Sequence, residues 1–160
     1  MKKTFYLLAL SLLTVAAVST TFAQSVKNEN PTYDAELAKK LGADDIGMRS
    51  YVLVILKTGP RDAEYKGKVR EDMFIGHMAN IGRLADEGKL AVAGPFGKND
   101  KQYRGIFIFA VKTIEEAQKL VESDPVVKGG MMIADMTPWY GSASLMATPD
   151  LHKKISKEAP

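Results

Sequence analysis

Three apolar segments of this chain alternate so that neither side of them is polar. In 51–56, Leu53 and Ile55 point one way while Val52, Val54 and Leu56 point the other. The segment 104–111 repeats this, with Ile106 and Ile108 against Phe107, Phe109 and Val111. In 131–137, Met131 and Ile133 oppose Met132, Ala134 and Met136. An antiparallel sheet with one face in water alternates apolar with polar residues. Both faces of this one need cover, and two helical segments supply cover for one. The pattern therefore predicts a homodimer built through the sheet, since an exposed apolar face of that size is rare on monomers. The rival cover is the chain's own ends, 33–41 or 145–157, folded across it.

The elements between these strands follow from local signals. A short helix over 33–41 ends at Gly42, and strand 51–56 stops at Gly59-Pro60. Residues 68–87 have helical spacing, with Phe74, His77, Ile81 and Leu84 on one face and Gly88 at the C-terminal cap position. Strand 90–93 ends at Gly94-Pro95, and a polar connection follows with turn chemistry in Gly97-Lys98-Asn99-Asp100. After strand 104–111, Thr113 and Glu116 form a capping box for helix 114–122. That helix ends near Asp124-Pro125, because a residue before proline avoids helical geometry. The tail 141–160 has no strong period, with one or two helical turns over 151–157. The order strand–helix–strand–strand–helix–strand is the ferredoxin-like α+β arrangement, an antiparallel sheet with both helices on one face.

The N-terminus reads as a secretory signal peptide: Lys2 and Lys3, an apolar stretch from Phe5 to Val18, and Thr21-Phe22-Ala23 before Gln24. The apolar stretch is shorter than the roughly 20 residues that span hydrocarbon. Cleavage is expected, with a secreted or periplasmic product and no stable membrane anchor. The division expected is signal peptide 1–23, leader 24–48, one domain over 49–141 and a tail over 142–160. The chain has no cysteine, which removes a disulfide framework, a thiol nucleophile and a lipidated mature end. Losing Lys2 and Lys3 takes two charges from the formal +3, so the charge is weak evidence for an anionic partner.

Only two histidines occur, and His77 stands inside an apolar helical pattern, which makes it the first candidate for proton chemistry. Its helix neighbours three and four residues away are Met73, Phe74, Asn80 and Ile81, so an orienting carboxylate must come from elsewhere. The plain alternative is a half-buried histidine bonded to a backbone carbonyl. Arg104 is suited to an anionic ligand group, or is an exposed strand-end charge. Gly94, Pro95 and Phe96 offer a bend and amide groups to a ligand, or simply an exit turn. Trp139 and Tyr140 read as a pocket wall or as packing at a dimer seam. No metal site is expected: the histidines are far apart and no acidic cluster has calcium-loop spacing. No phosphate loop, dinucleotide fingerprint or GxSxG motif points to a cofactor or a serine nucleophile. Residues 104–109 faintly echo an RNA-binding strand, but Ile106 stands where a stacking aromatic is needed, so nucleic acid is not an expected partner.

The ordered set His77, Gly88-Lys89-Leu90, Ala93-Gly94-Pro95, Glu115-Glu116-Ala117 and Asp124-Pro125 resembles the YciI-like (YCII-related) family over about residues 50–140. The resemblance implies a ferredoxin-like subunit whose sheets pair into a dimeric α+β barrel. It also implies a His/Asp site, here His77 with Asp124. Most members of the family have no assigned reaction, and one branch is a dehydrochlorinase acting on a chlorinated hydroquinone. Related dimeric barrels include muconolactone isomerase and cofactor-free monooxygenases. A signal peptide sets this chain apart from the small cytoplasmic members.

Two functions remain open at this level. One is a cofactor-free lyase or isomerase in which His77, oriented by Asp124, moves a proton on a small organic molecule. The other is a non-catalytic cell-envelope protein that binds a small ligand or assembles through its sheet. For the leader, N-terminal mass analysis of protein recovered from the cell envelope is expected to begin at Gln24. Recovery of a mature protein that retains Met1 to Ala23 overturns the export reading.

Overall fold

Strand β1 (Met48–Thr58) runs through the middle of the sheet because its β-branched residues find ladders on both sides. It pairs antiparallel with β3 (Tyr103–Phe109) and with β4 (Met132–Ser142). β2 (Leu90–Pro95) adds to the far side of β3, giving the order β2-β3-β1-β4. Helix α2 (Gly67–Asp86) joins β1 to β2, and α3 (Ile114–Glu122) with α4 (Pro125–Lys128) joins β3 to β4. The short α1 (Ala35–Leu41) precedes β1; a 3-10 turn (Ala143–Ala147) and α5 (Thr148–Ile155) follow β4. The fold is thus ferredoxin-like α+β. The structure is a computed structural model that describes residues 30–158. Residues 1–29, on which the expected signal peptide and the first residues of the expected leader fall, lie outside the described residues. Before Asp34 the structure describes a turn closed by the Tyr33 N–H on the Asn30 carbonyl (3.0 Å).

Several element ends differ from the sequence reading, for identifiable reasons. β2 carries on through Gly94-Pro95, and β4 through Pro138 to Ser142. Both are edge strands, where a proline can turn its missing N–H away from the ladder. β1 starts at Met48 because the long β4 ladder reaches back to it, pairing Met48 with Ser142. α2 ends with Glu87 as its cap and Gly88 beyond it at φ 66°, the left-handed position glycine fills without strain. Asp124 does not end α3. It opens α4, its Oδ1 accepting the Val126 N–H at 3.1 Å. The tail holds a helix that starts at Thr148, earlier than its hydrophobic pattern suggested. Pro149 and Asp150 in its first turn, with Lys153 and Lys154 in its last, are the local signals for it.

One face of the sheet holds the main core. Val52, Val54, Leu56, Phe107 and Phe109 pack there against Leu84 of α2, Ala117 and Val121 of α3, and Val126 of α4. Each such aliphatic or aromatic side chain contributes about 1.5–3 kcal/mol on burial. The other face carries Tyr51, Ala91 and Ile108, with Leu53, Val92 and Ile106 around them. Here the tail does part of what a second copy was expected to do: Leu145 and Met146 fold onto this patch. The cover is partial. Toward β4, Ile133 remains 45% and Trp139 37% exposed.

The helical layer is tight where α2 meets α4. A Cβ on Gly76 would come within 2.9 Å of Cγ of Pro125, so glycine is what admits the proline ring at this point. The contact sets the neighbouring residues, His77 and Asp124, opposite each other.

Candidate functional site

His77 leaves α2 on its sheet-facing side, and its ring lies between two aromatic residues. The Phe107 ring is tilted against it at 5.9 Å, and the Phe74 ring meets it edge-on at 6.1 Å. Nδ1 of His77 is 2.7 Å from Oδ2 of Asp124. A carboxylate only accepts, so Nδ1 carries a proton, and in the neutral ring Nε2 keeps its lone pair. The Asp124 side chain is 0% exposed and the His77 side chain 12% exposed. Asp124 is bound on both oxygens, by His77 and by the Val126 N–H, so it is a fully buried acid with one orienting task. The imidazole therefore bonds a carboxylate rather than a backbone carbonyl.

Beside His77 opens a cleft of about 1210 Å³ that runs from Phe74 and Phe107, along β2, to the N-terminal turn of α5. Gly94, Pro95, Phe96 and Arg104 all line it. Their roles differ from one another. The Phe96 N–H is spent on the Arg104 carbonyl at 2.9 Å. By the alternation of an antiparallel ladder, Gly94, paired with Ile106, has its amide in the ladder too. Pro95 has no N–H. This segment therefore offers the cleft side chains and Cα groups, and the expected amide contacts are not available. Phe96 packs on Tyr103 at 5.8 Å and closes the outer wall. The connection behind it is held by Asn99, whose amide bonds the Gly97 and Tyr103 carbonyls at 2.8 and 2.9 Å.

Arg104 sits at a register shift. Leu56 pairs with Gly105 while Lys57 pairs with Tyr103, which makes Arg104 the extra residue of a β-bulge. Such irregularities re-aim a side chain, and this one is half-buried against the cleft. Trp139 and Tyr140 stand elsewhere. Trp139 packs on Tyr51 at 5.6 Å, and the Tyr140 hydroxyl bonds Asp44. That bond lowers the Asp44 pKa and raises that of Tyr140. The pair borders a separate shallow depression of about 190 Å³, so neither residue walls the main cleft.

The profile of the YCII-related domain family matches residues 51–140. The chain belongs to that family. The YCII-related segment contains His77, Asp124, the β2 residues and Arg104, while α5 lies beyond it. One similar solved structure is the 5-chloro-2-hydroxyhydroquinone dehydrochlorinase of Burkholderia phenoliruptrix in complex with 2,5-dihydroxybenzoquinone. It is 27% identical, the match covers 56% of this chain and 92% of that one, and the TM-score is 0.41. No curated protein matches the chain in sequence.

Two parts of the site escaped the sequence reading. The second histidine, His152, lines the cleft from α5, together with Thr148, Pro149 and Lys153. Lys153 Nζ bonds Asp86 of α2 at 2.6 Å, which ties the tail to the YCII-related core. Asp86 raises the Lys153 pKa, so this exposed ion pair stands at neutral pH and is lost only as pH rises through that raised value. The other part is a clamp beside the dyad. Asn80 Oδ1 accepts from Arg83 at 2.7 Å and from the Ser123 hydroxyl at 3.1 Å, fixing the residue before Asp124 to α2. Asn80 follows His77 by three residues and could have been paired with Ser123 from its helix face, but a polar side chain alone does not name its partner.

The geometry sets the outcome of one substitution. In Asp124→Asn the side-chain oxygen keeps the Val126 cap, and the amide N–H₂ then faces His77. Nδ1 must become the acceptor and Nε2 must take the proton. Long-range ¹H–¹⁵N NMR of the ring is expected to show the Nδ1–H tautomer in the native protein and the Nε2–H tautomer in the variant. An unchanged tautomer would show that Asp124 does not set it.

Proposed function

We propose that this YCII-related protein is a cofactor-free acid/base enzyme acting on a small organic molecule, by isomerisation or elimination. The observation that carries the reading is the fully buried Asp124 bound to Nδ1 of a histidine that lines a large cleft. Nε2 has no hydrogen-bond partner among the described residues, so it is the ring atom free to take a proton from a bound carbon acid. Asp124 holds the ring in the productive tautomer and stabilises the imidazolium that forms. The same nitrogen then returns the proton, to another carbon in an isomerisation or to solvent after loss of a leaving group. Phe74 and Phe107 fix the ring plane and give the substrate an apolar bed.

A screen of cyclic enones, lactones and halogenated phenols in D₂O, read by mass spectrometry for carbon-bound deuterium or for halide loss, tests the assignment. His77→Gln keeps a donor for Asp124 and removes the base. It is expected to lower the rate at least about 100-fold, with the fold intact by circular dichroism. A variant with full activity overturns it. Binding without turnover by the native protein would favour a non-catalytic ligand-binding protein of the cell envelope.

The reading includes export, from the charged start, apolar stretch and small-residue site of residues 1–23, and a homodimer through the sheet. Support for the dimer is that Ile133 and Trp139 stay exposed on the sheet face opposite α2, beside Leu53 and Ile106, which are only partly buried. Light scattering at micromolar concentration is expected to give twice the protomer mass. A monomer mass defeats the dimer, and the tail's Leu145–Met146 cover is then sufficient.

A further inference from the structure

The charges on the cleft wall do not cancel. Among the described residues its cations include Arg83, Lys98, Arg104 and Lys153, and its one carboxylate is Asp86. Asp86 is taken by Lys153 at 2.6 Å. Arg83 is taken by Glu87 and Asn80, each at 2.7 Å. Neither Lys98 nor Arg104 has a carboxylate within ion-pair distance among the described residues. Arg104 is a partly buried residue whose cation has no counter-charge among those residues, and an anion entering the cleft would supply one. The inner wall, by contrast, is apolar, with Phe74, Ile81 and Phe107 beside His77.

We infer that the ligand of this cleft is an organic anion: an apolar or aromatic body against Phe74 and Phe107, and a carboxylate held by Arg104 with Lys98 at the rim. The inference rests on the proposed acid/base function and names the substrate class for it. Arg104 stands three residues from Phe107 on β3, about 10 Å by strand rise. An arginine side chain and a one-ring carboxylate together bridge that span and bring the ring's substituents to His77. Arg104 is the extra residue of the β-bulge and lines the cleft. A planar guanidinium offers two parallel N–H groups to a carboxylate, which a lysine does not.

Benzoate and benzyl alcohol, with matched rings and different charge, are titrated into ¹⁵N-labelled protein, and shifts of cleft amides are followed. Benzoate is expected to bind at least tenfold more tightly than benzyl alcohol. Arg104→Ala is expected to abolish that preference and Arg104→Lys to restore part of it. His77→Gln is expected to retain the preference, which separates this test from the catalytic one: native protein that selects benzoate but turns over none of the screened molecules counts against the reaction alone. Equal affinity for the two probes, selectivity that survives Arg104→Ala, or no perturbation of the cleft by either probe overturns the inference.

Discussion

Everything on the functional side of this molecule depends on how closely α2 approaches α4. Gly76 admits the Pro125 ring, and the next residue on α2, His77, then meets the residue before that proline, Asp124. The two dipeptides Gly76-His77 and Asp124-Pro125 interlock as small-to-large and donor-to-acceptor. The hydrogen bond alone would not hold this geometry, because a buried carboxylate costs free energy unless its lone pairs are met. Asp124 meets that condition by serving two elements at once, capping α4 with one oxygen and receiving His77 with the other. The helical turn after Pro125 is therefore part of the site, and so is the Asn80–Arg83–Ser123 clamp that holds the residue before Asp124 against α2.

The sheet contributes the other wall by the same economy. Phe107 belongs to the core, and its ring also packs against His77. Two residues along β3 the strand passes through Gly105, whose missing side chain lets the Gly94 carbonyl approach. The bulge follows at once at Arg104, which lines the cleft. The cleft thus has an apolar inner end built on core residues and a cationic outer end built on an irregularity. That gradient gives a bound molecule a direction, with its charge held away from the base.

The segment beyond the family match is bound to the rest through both faces of the sheet. Leu145 and Met146 cover part of the face opposite α2, and α5 comes round the β2 edge to wall the cleft with His152 and to meet Asp86. The tail thus meets both the face opposite α2 and the cleft: Leu145 and Met146 reduce the apolar area left on that face, and Thr148, Pro149, His152 and Lys153 line the cleft.

Much of this was legible in the residues. The alternation in 51–56 and 104–111, the capping box at Thr113 and Glu116, and Gly88 beyond α2 specify strands, helix starts and stops through interactions spanning a few residues, so the ferredoxin-like order could be read directly. His77 stood out because a lone imidazole in an apolar stripe has few uses, while Asp124 became its partner only through a family resemblance. Contacts across tens of residues are a different matter. That Asp124 opens a helix, that the strands run through Pro95 and Pro138, and that Arg104 falls in a bulge depend on which strands are edges and how their registers meet. The arrival of His152 from a tail with little hydrophobic period depends on the tertiary surface that received it. Local sequence decides conformation where backbone preference and side-chain period agree. The site is decided by packing, because the free energies that place His77, Asp124 and Arg104 come from burial and charge compensation between segments that no local pattern connects.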